Sequence, residues 1–406
     1  MRLRHPGGRT IHLGYCTNVH AAHEVDGIVA QLETYARPVR EALGTPSLSI
    51  GTWLSADAVH TLRRDPAALA GLRDGLTRAG GEVVTVNAFP YGAFQAPVVK
   101  RAVYHPDWTT AERLAYTVDA AWVLARLLPD DVARGSISTL PLAWREPWDD
   151  AAAAAARENL ATLTDELAAI ERETGRSIQV GLEPEPGCVV ETVEQAVVAL
   201  DGLDRDRLGV CLDLAHLATG FATARDAVDL LSGAGISVVK AQVSAALHVS
   251  DPGDPASREA LGEFAEDRFL HQVRVPGGAP ALERGFDDLP EALAGTEAGS
   301  GGDAGRDAGR DANPDPWRIH FHVPLHAEAQ APGLRSTTPE LRESLAVLLG
   351  GDEPVVDHLE VESYTWGVLP SAQRPTNDAE LVAGIAAELT WAADHLATLG
   401  LEREKS

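Results

Sequence analysis

Short β-branched or aliphatic runs alternate with Ala/Leu/Arg/Glu stretches of helical period along nearly the whole chain. That alternation builds a parallel sheet with crossover helices. Eight runs read as strands, at 11–18, 47–53, 82–89, 135–142, 177–185, 208–216, 237–244 and 357–364. Helical stretches fall between and after them at 22–43, 66–79, 109–128, 150–174, 192–202, 223–233, 338–349 and 377–399. Eight strand-helix units closed on themselves make a (β/α)8 TIM barrel, with an open doubly wound sheet as the competitor. No strand here is followed by G-x-G-x-x-G, and polar residues gather at the C-terminal ends of many different strands. The pattern therefore predicts the barrel, as a single domain over 1–406.

The interval between the seventh and eighth strands is too long for one crossover. It contains an insertion at 250–316 whose end, EAGSGGDAGRDAGRDANPDP (297–316), is a Gly/Asp/Arg low-complexity tract. Such a tract cannot bury apolar surface and is expected to be a disordered surface loop. Beyond it, 317–326 reads as an additional short strand returning to the rim. The loops at 89–107 and 140–149 are long and rich in Pro, Tyr and Trp, and in a barrel they belong to the catalytic face.

Composition narrows the function. With 45% hydrophobic and 23% charged residues, the 406-residue chain can build a large core. Its formal charge of −26 repels polyphosphates and anionic headgroups, which argues against nucleic acid and membrane as partners and leaves a small molecule. Cys16, Cys188 and Cys211 are an odd number at long spacings and read as core residues rather than a disulfide framework. The amino-terminal stretch has no secretory h-region and no run is long enough to span a bilayer, so a soluble cytoplasmic protein is expected.

Residues two apart on a strand share a face, so Glu183 pairs with Glu185, Glu360 with Glu362, and His320 with His322. Asp213 and His216 stand three apart where the sixth strand ends. At a barrel mouth this set offers hard oxygen and borderline nitrogen ligands for one or more divalent ions, Zn²⁺ or Mn²⁺ first and Mg²⁺ with fewer imidazoles. Glu360 lies deeper in the barrel, where an unpaired carboxylate is costly, and Lys240 is its natural partner. Asn18 and His20 after strand one, and Asn87, Tyr91 and Lys100 at and beyond the end of strand three, are candidate substrate contacts, as are His320 and Trp366. Each also has a plainer reading: His216 as a solvated helix-start histidine, the 89–107 loop as self-packed.

The segments LEPEPG (182–187), CLDLAH (211–216) and LEVES (359–363), in that order on a β/α pattern, resemble the xylose-isomerase-like barrel superfamily of sugar isomerases, epimerases and apurinic endonucleases. HLGYCTNVH (12–20), NAFPYGAF (87–94), VVKRAVYHPDW (98–108), SISTLPL (136–142) and FHVP (321–324) look like its EboE-type metabolite-traffic branch, over most of the chain outside 250–316. The resemblance implies a metal held by Glu183, Asp213 with His216, and Glu362, and proton transfer between Glu183 and Glu362 as the catalytic pair. The seventh strand usually supplies a histidine; here Gln242 stands there, a departure that puts isomerase activity in question although an amide oxygen can ligate a hard ion. His320 and His322 stand where the endonucleases carry an Asp-x-His pair, and His322 completes the implied ligands. A non-catalytic metabolite carrier is the alternative, favoured by Gln242 and by the branch. A nuclease is disfavoured because no cationic groove is visible.

Overall fold

The computed structural model describes residues 1–277, 285–298 and 315–404. Among them eight parallel strands form one ring: β1 (Thr10–Cys16), β2 (Leu48–Trp53), β3 (Gly81–Ala88), β4 (Arg134–Thr139), β5 (Ser177–Leu182), β6 (Leu208–Asp213), β7 (Val238–Val243) and β8 (His358–Val361). The ring closes because Leu359 pairs with Ala241 on one side and Leu13 on the other. The eight runs of the hydrophobic pattern are these eight strands, and the helices between them pack outside as in other (β/α)8 barrels. Four α-helices among the described residues are absent from the sequence reading: Pro255–Gly262 and Leu289–Ala298 in the insertion, and Ala56–Arg64 and Leu214–Thr219, which are short and start at their own caps, Ser55 and Asp213. No helix among the described residues is long and apolar enough to cross a membrane. The three cysteines are buried free thiols.

The barrel interior is not wholly apolar. Lys240 on β7 and Glu360 on β8 are both fully buried and form the ion pair their depth requires. Glu360 fits because β2 carries Gly51 opposite it: a Cβ there would lie 1.5 Å from Glu360 Oε1. Despite burial, Glu360 holds the Lys240 ammonium above its ordinary range.

Between β7 and β8 the chain builds a second, five-stranded antiparallel sheet. Its order is Val273–Arg274, Trp317–Ile319, Leu247–Val249, Leu334–Ser336, Ala329–Ala331. The expected strand at 317–326 is thus only three residues long. After Ile319 the backbone leaves the ladder, with His320 N–H donating to Gln272 O and Val323 N–H to Ala245 O. The low-complexity tract at 297–316 lies, apart from its first and last two residues, outside the described residues.

Candidate functional site

Each carboxylate of the mouth is placed by the strand before it. Glu183 follows β5 directly, and its N–H donates to Thr139 O of β4. The chain then turns through Pro184, Pro186 and Gly187; Gly187 has φ +93° and presses on Trp144, whose ring would lie 2.3 Å from an added Cβ. Only glycine suits both conditions. Asp213 ends β6 and caps the following helix: its Oδ1 accepts from Ala215 N–H (2.8 Å), His216 N–H (2.9 Å) and Ser244 Oγ (2.8 Å). This leaves Oδ2 with no hydrogen-bond partner, aimed between His216 Nε2 (3.8 Å) and His322 Nε2 (3.7 Å). Glu362 follows β8, and its Oε1 accepts from the amides of Asn18 and Asn87, each at 2.8 Å.

The imidazoles are oriented by backbone carbonyls. His216 Nδ1 donates to Pro184 O (2.9 Å) and His322 Nδ1 to Glu362 O (2.7 Å), so each ring turns an Nε2 lone pair inward. The Nε2 atoms of His216 and His320 lie 2.9 Å apart. Ligand atoms converge in three overlapping groups, each within 4.8 Å: Glu183, Asp213 and His216; Asp213, His322 and Glu362; and the three histidines. Asp213 belongs to the two groups that contain carboxylates, which puts it at the centre. Gln242, fully buried on β7 beside Asp213 in the ladder, has neither its amide oxygen nor its nitrogen hydrogen-bonded.

The electrostatics follow from this crowding. Burial, and then the charge of Asp213, push the Glu183 carboxyl up to about 8. Burial together with Glu183 and Asp213 carries Glu362 well above the carboxylate range, and burial does the same to Glu185. Asp213 goes the other way: burial opposes its charge, but His216, His322 and the hydrogen bonds on Oδ1 outweigh that. Burial lowers all three histidines, His216 to about 4, which favours the neutral rings; His216 and His320 share a hydrogen bond through Nε2, and His322 Nε2 has no partner. A divalent cation is what such a donor set fits: two carboxylate oxygens and an imidazole nitrogen (Glu183 Oε2, Asp213 Oδ2, His322 Nε2) are buried with no protein partner.

Of the residues singled out from sequence, Glu183, Asp213, His216, His322 and Glu362 come together, with Gln242 on the strand between Asp213 and Glu360. Asn18, Asn87, Lys100 and His320 line the pocket above them. Three do not reach it. His20 is buried against Tyr15 and stacked on Tyr35 at 4.0 Å; Tyr91 packs on Tyr116 and Arg113; Trp366 packs toward the last helix and donates to Glu388 (3.1 Å). Each is turned away because its loop packs on the outer helices. Other residues were missed. Tyr104 donates to Glu185 Oε1 (2.7 Å) and accepts from Gln272 (3.0 Å), and Phe269, Leu270 and Tyr364 close the pocket. Tyr104 sits in the aromatic 89–107 loop, a usable signal, whereas nothing local marks Gln272.

The model of a family described as the xylose isomerase-like TIM barrel matches residues 42–277. No curated protein is significantly similar to the chain. Among solved structures, a D-psicose 3-epimerase with D-tagatose from Clostridium cellulolyticum H10 aligns at TM-score 0.49 and 13% identity, covering 95% of this chain and 99% of that one. The IOLI protein with a bound zinc atom aligns at 0.46 and 14% identity, covering 96% and 99%. The probable 3-DHS dehydratase AsbF of Bacillus anthracis aligns at 0.45 and 11%, covering 94% and 99%.

Proposed function

Because the chain belongs to the xylose isomerase-like TIM-barrel family, we propose that its mouth is a divalent-metal centre that moves a proton on a small metabolite, as an isomerase or epimerase does. One observation carries the reading: buried Glu183 Oε2, Asp213 Oδ2 and His322 Nε2 have no protein partner, and Asp213 converges with Glu183 and His216 on one side and with His322 and Glu362 on the other. Glu183, Asp213, His322 and Glu362 would hold the ion, with His216 and Gln242 beside them. His322 takes the role of the histidine absent from β7. The mixed oxygen and nitrogen set suits zinc or manganese better than magnesium.

The cation, when bound, supplies polarisation of a substrate carbonyl oxygen. The chain's own residues do the rest. One of Glu183 and Glu362 takes the proton from the carbon beside the carbonyl, and the C–H electron pair moves toward the carbonyl oxygen. The other returns a proton to carbon, so no oxidant or reductant is needed. Asn18 and Asn87 fix Glu362 by donating to its Oε1.

Within the family we place the chain in the EboE-type metabolite-traffic branch, on the motifs at 12–20, 87–94, 98–108 and 321–324, acting as one cytoplasmic barrel unit over 1–406. A second reading, a binding protein without turnover, is favoured by Gln242, whose amide cannot act as an acid or base. Elemental analysis separates the outcomes: about one equivalent of zinc or manganese in the wild type, lost in a folded Glu183→Ala, Asp213→Ala variant, supports the centre. No metal in either after incubation with excess divalent ions overturns it. Solvent-deuterium exchange into a bound hydroxy-ketone then distinguishes enzyme from carrier.

A further inference from the structure

The pocket above the acidic cluster has two chemically distinct halves. Its floor is Glu183, Glu185 and Glu362 with the amides of Asn18 and Asn87. Its wall is Phe89, Phe94, Val99, Phe269, Leu270 and Tyr364. Phe94, Phe269 and Tyr364 form a closed triangle, with ring centroids 5.0, 5.1 and 4.9 Å apart, so that side is a rigid aromatic surface. Phe94 comes from the loop after β3, Phe269 from the insertion and Tyr364 from the turn after β8; the three meet only here.

Charge in the wall is equally informative. Among the described residues that line the pocket, Lys100 is the only lysine or arginine. It is already engaged, its Nζ donating to Asp288 Oδ2 (2.6 Å) and Glu266 O (3.1 Å). Its backbone, at φ +39°, is held in place by the Lys100 N–H donating to Arg268 O at 2.8 Å. A phosphate ester entering this pocket would find no free side-chain cation beside it, only an ion below that the carboxylates already surround. Apart from the Tyr364 hydroxyl this wall offers no hydrogen bond, so a molecule bearing hydroxyls all round would leave those facing Phe89, Phe94, Val99, Phe269 and Leu270 unpaired, which costs affinity.

We infer that the substrate is an uncharged, apolar-bodied cyclic molecule with one small oxygen-bearing head such as a hydroxy-ketone. The head meets the carboxylate floor and the body lies on the Phe94–Phe269–Tyr364 wall. This rests on the reading of the floor as a metal-assisted proton-transfer centre, and it adds the class of molecule the centre receives.

The test uses the full chain loaded with Mn²⁺ and three probes: 2-hydroxycyclohexanone, dihydroxyacetone and dihydroxyacetone phosphate. Binding is measured by paramagnetic broadening of probe proton signals, and turnover by deuterium incorporation from D₂O. The ring-bearing probe is expected to bind at least tenfold tighter than dihydroxyacetone, and the phosphate no tighter than its parent. In Phe269→Ala, and more mildly in the volume-keeping Phe269→Leu, the ratio between the first two probes shrinks. Tighter binding of the phosphate, equal binding of the first two probes, or an unchanged ratio in both variants overturns the inference. Preferential binding of the ring probe without exchange leaves the inference standing and removes the proton-transfer reading. Exchange without that preference does the reverse.

Discussion

The strand ends of the barrel and the segments that cross above them bring different side chains to one pocket. From below come Glu183, Asp213 and Glu362, each within a residue of its strand and each fixed by the neighbouring strand or its own helix cap. From above come Phe269, Leu270 and His320, on or beside an antiparallel sheet that starts just past β7. In the proposed reading the lower part supplies the ion-binding and proton-transfer groups and the upper part the surface that selects the molecule. His322 is the exception, carried by the upper segment yet aimed at Asp213 of the lower.

This division can be broken in several places. The largest effect is expected at Glu183→Gln, which should slow deuterium exchange into a turned-over hydroxy-ketone by about 10²–10⁴-fold while leaving the near-ultraviolet circular dichroism intact. An unchanged rate would remove Glu183 from the chemistry. Inside the barrel, Lys240→Met leaves Glu360 buried without its partner and should cost about 3–5 kcal/mol in urea denaturation. A loss under 1 kcal/mol would mean that the pair adds no net stability.

Glu388 joins the two parts. From the last helix it accepts from Ser363 Oγ (2.6 Å) and Trp366 (3.1 Å) after β8, and from Leu325 N–H (3.1 Å) of the crossing segment. Burial pushes its carboxyl up from an ordinary 4.5 to about 7. The folded protein therefore holds a proton that the unfolded chain has released between those values. The stabilisation is full below about 4.5 and is lost as pH rises through about 7, amounting to roughly 3 kcal/mol. Denaturation curves taken from pH 4.5 to 7.5 should show a shallower pH dependence in Glu388→Gln than in the wild type, whatever its absolute stability; parallel dependences would refute the assignment. The smallest effect belongs to Ser244→Ala, which removes one hydrogen bond from Asp213 Oδ1. It should weaken manganese binding by about tenfold, read by competition with a fluorescent chelator.

The lower part was largely legible in the sequence. Runs such as LGVCLDLAH give a strand by their β-branched and aliphatic content, and a carboxylate at the C-terminal end of such a strand stands at the mouth end of the barrel. The Lys240–Glu360 pair followed from depth alone. The upper part was not legible, because its contacts join residues far apart in the chain: Gln272 meets Tyr104 across 168 positions, and no local periodicity encodes that. His320 and His322 were noticed through a period-two spacing that the structure does not use there, since the strand ends at Ile319. Both still reach the centre, through the rim hydrogen bonds that replace the ladder. His20 and Trp366 failed for a different reason: a position just after a strand says which end of the barrel a residue occupies, not whether its loop folds inward or back on the helices.

The excursion between β7 and β8 is stapled at its base. Leu247–Val249, on the way out, lies hydrogen-bonded to Trp317–Ile319, on the way back. Whatever length of chain separates these two strands, His320 and His322 emerge from the same stem. The closure entropy of a longer excursion grows only logarithmically, by about 0.6 kcal/mol per doubling. Such a stem makes length a free variable for inheritance: repeats like those in the 297–316 tract can expand or contract between generations without resetting the positions of the two histidines.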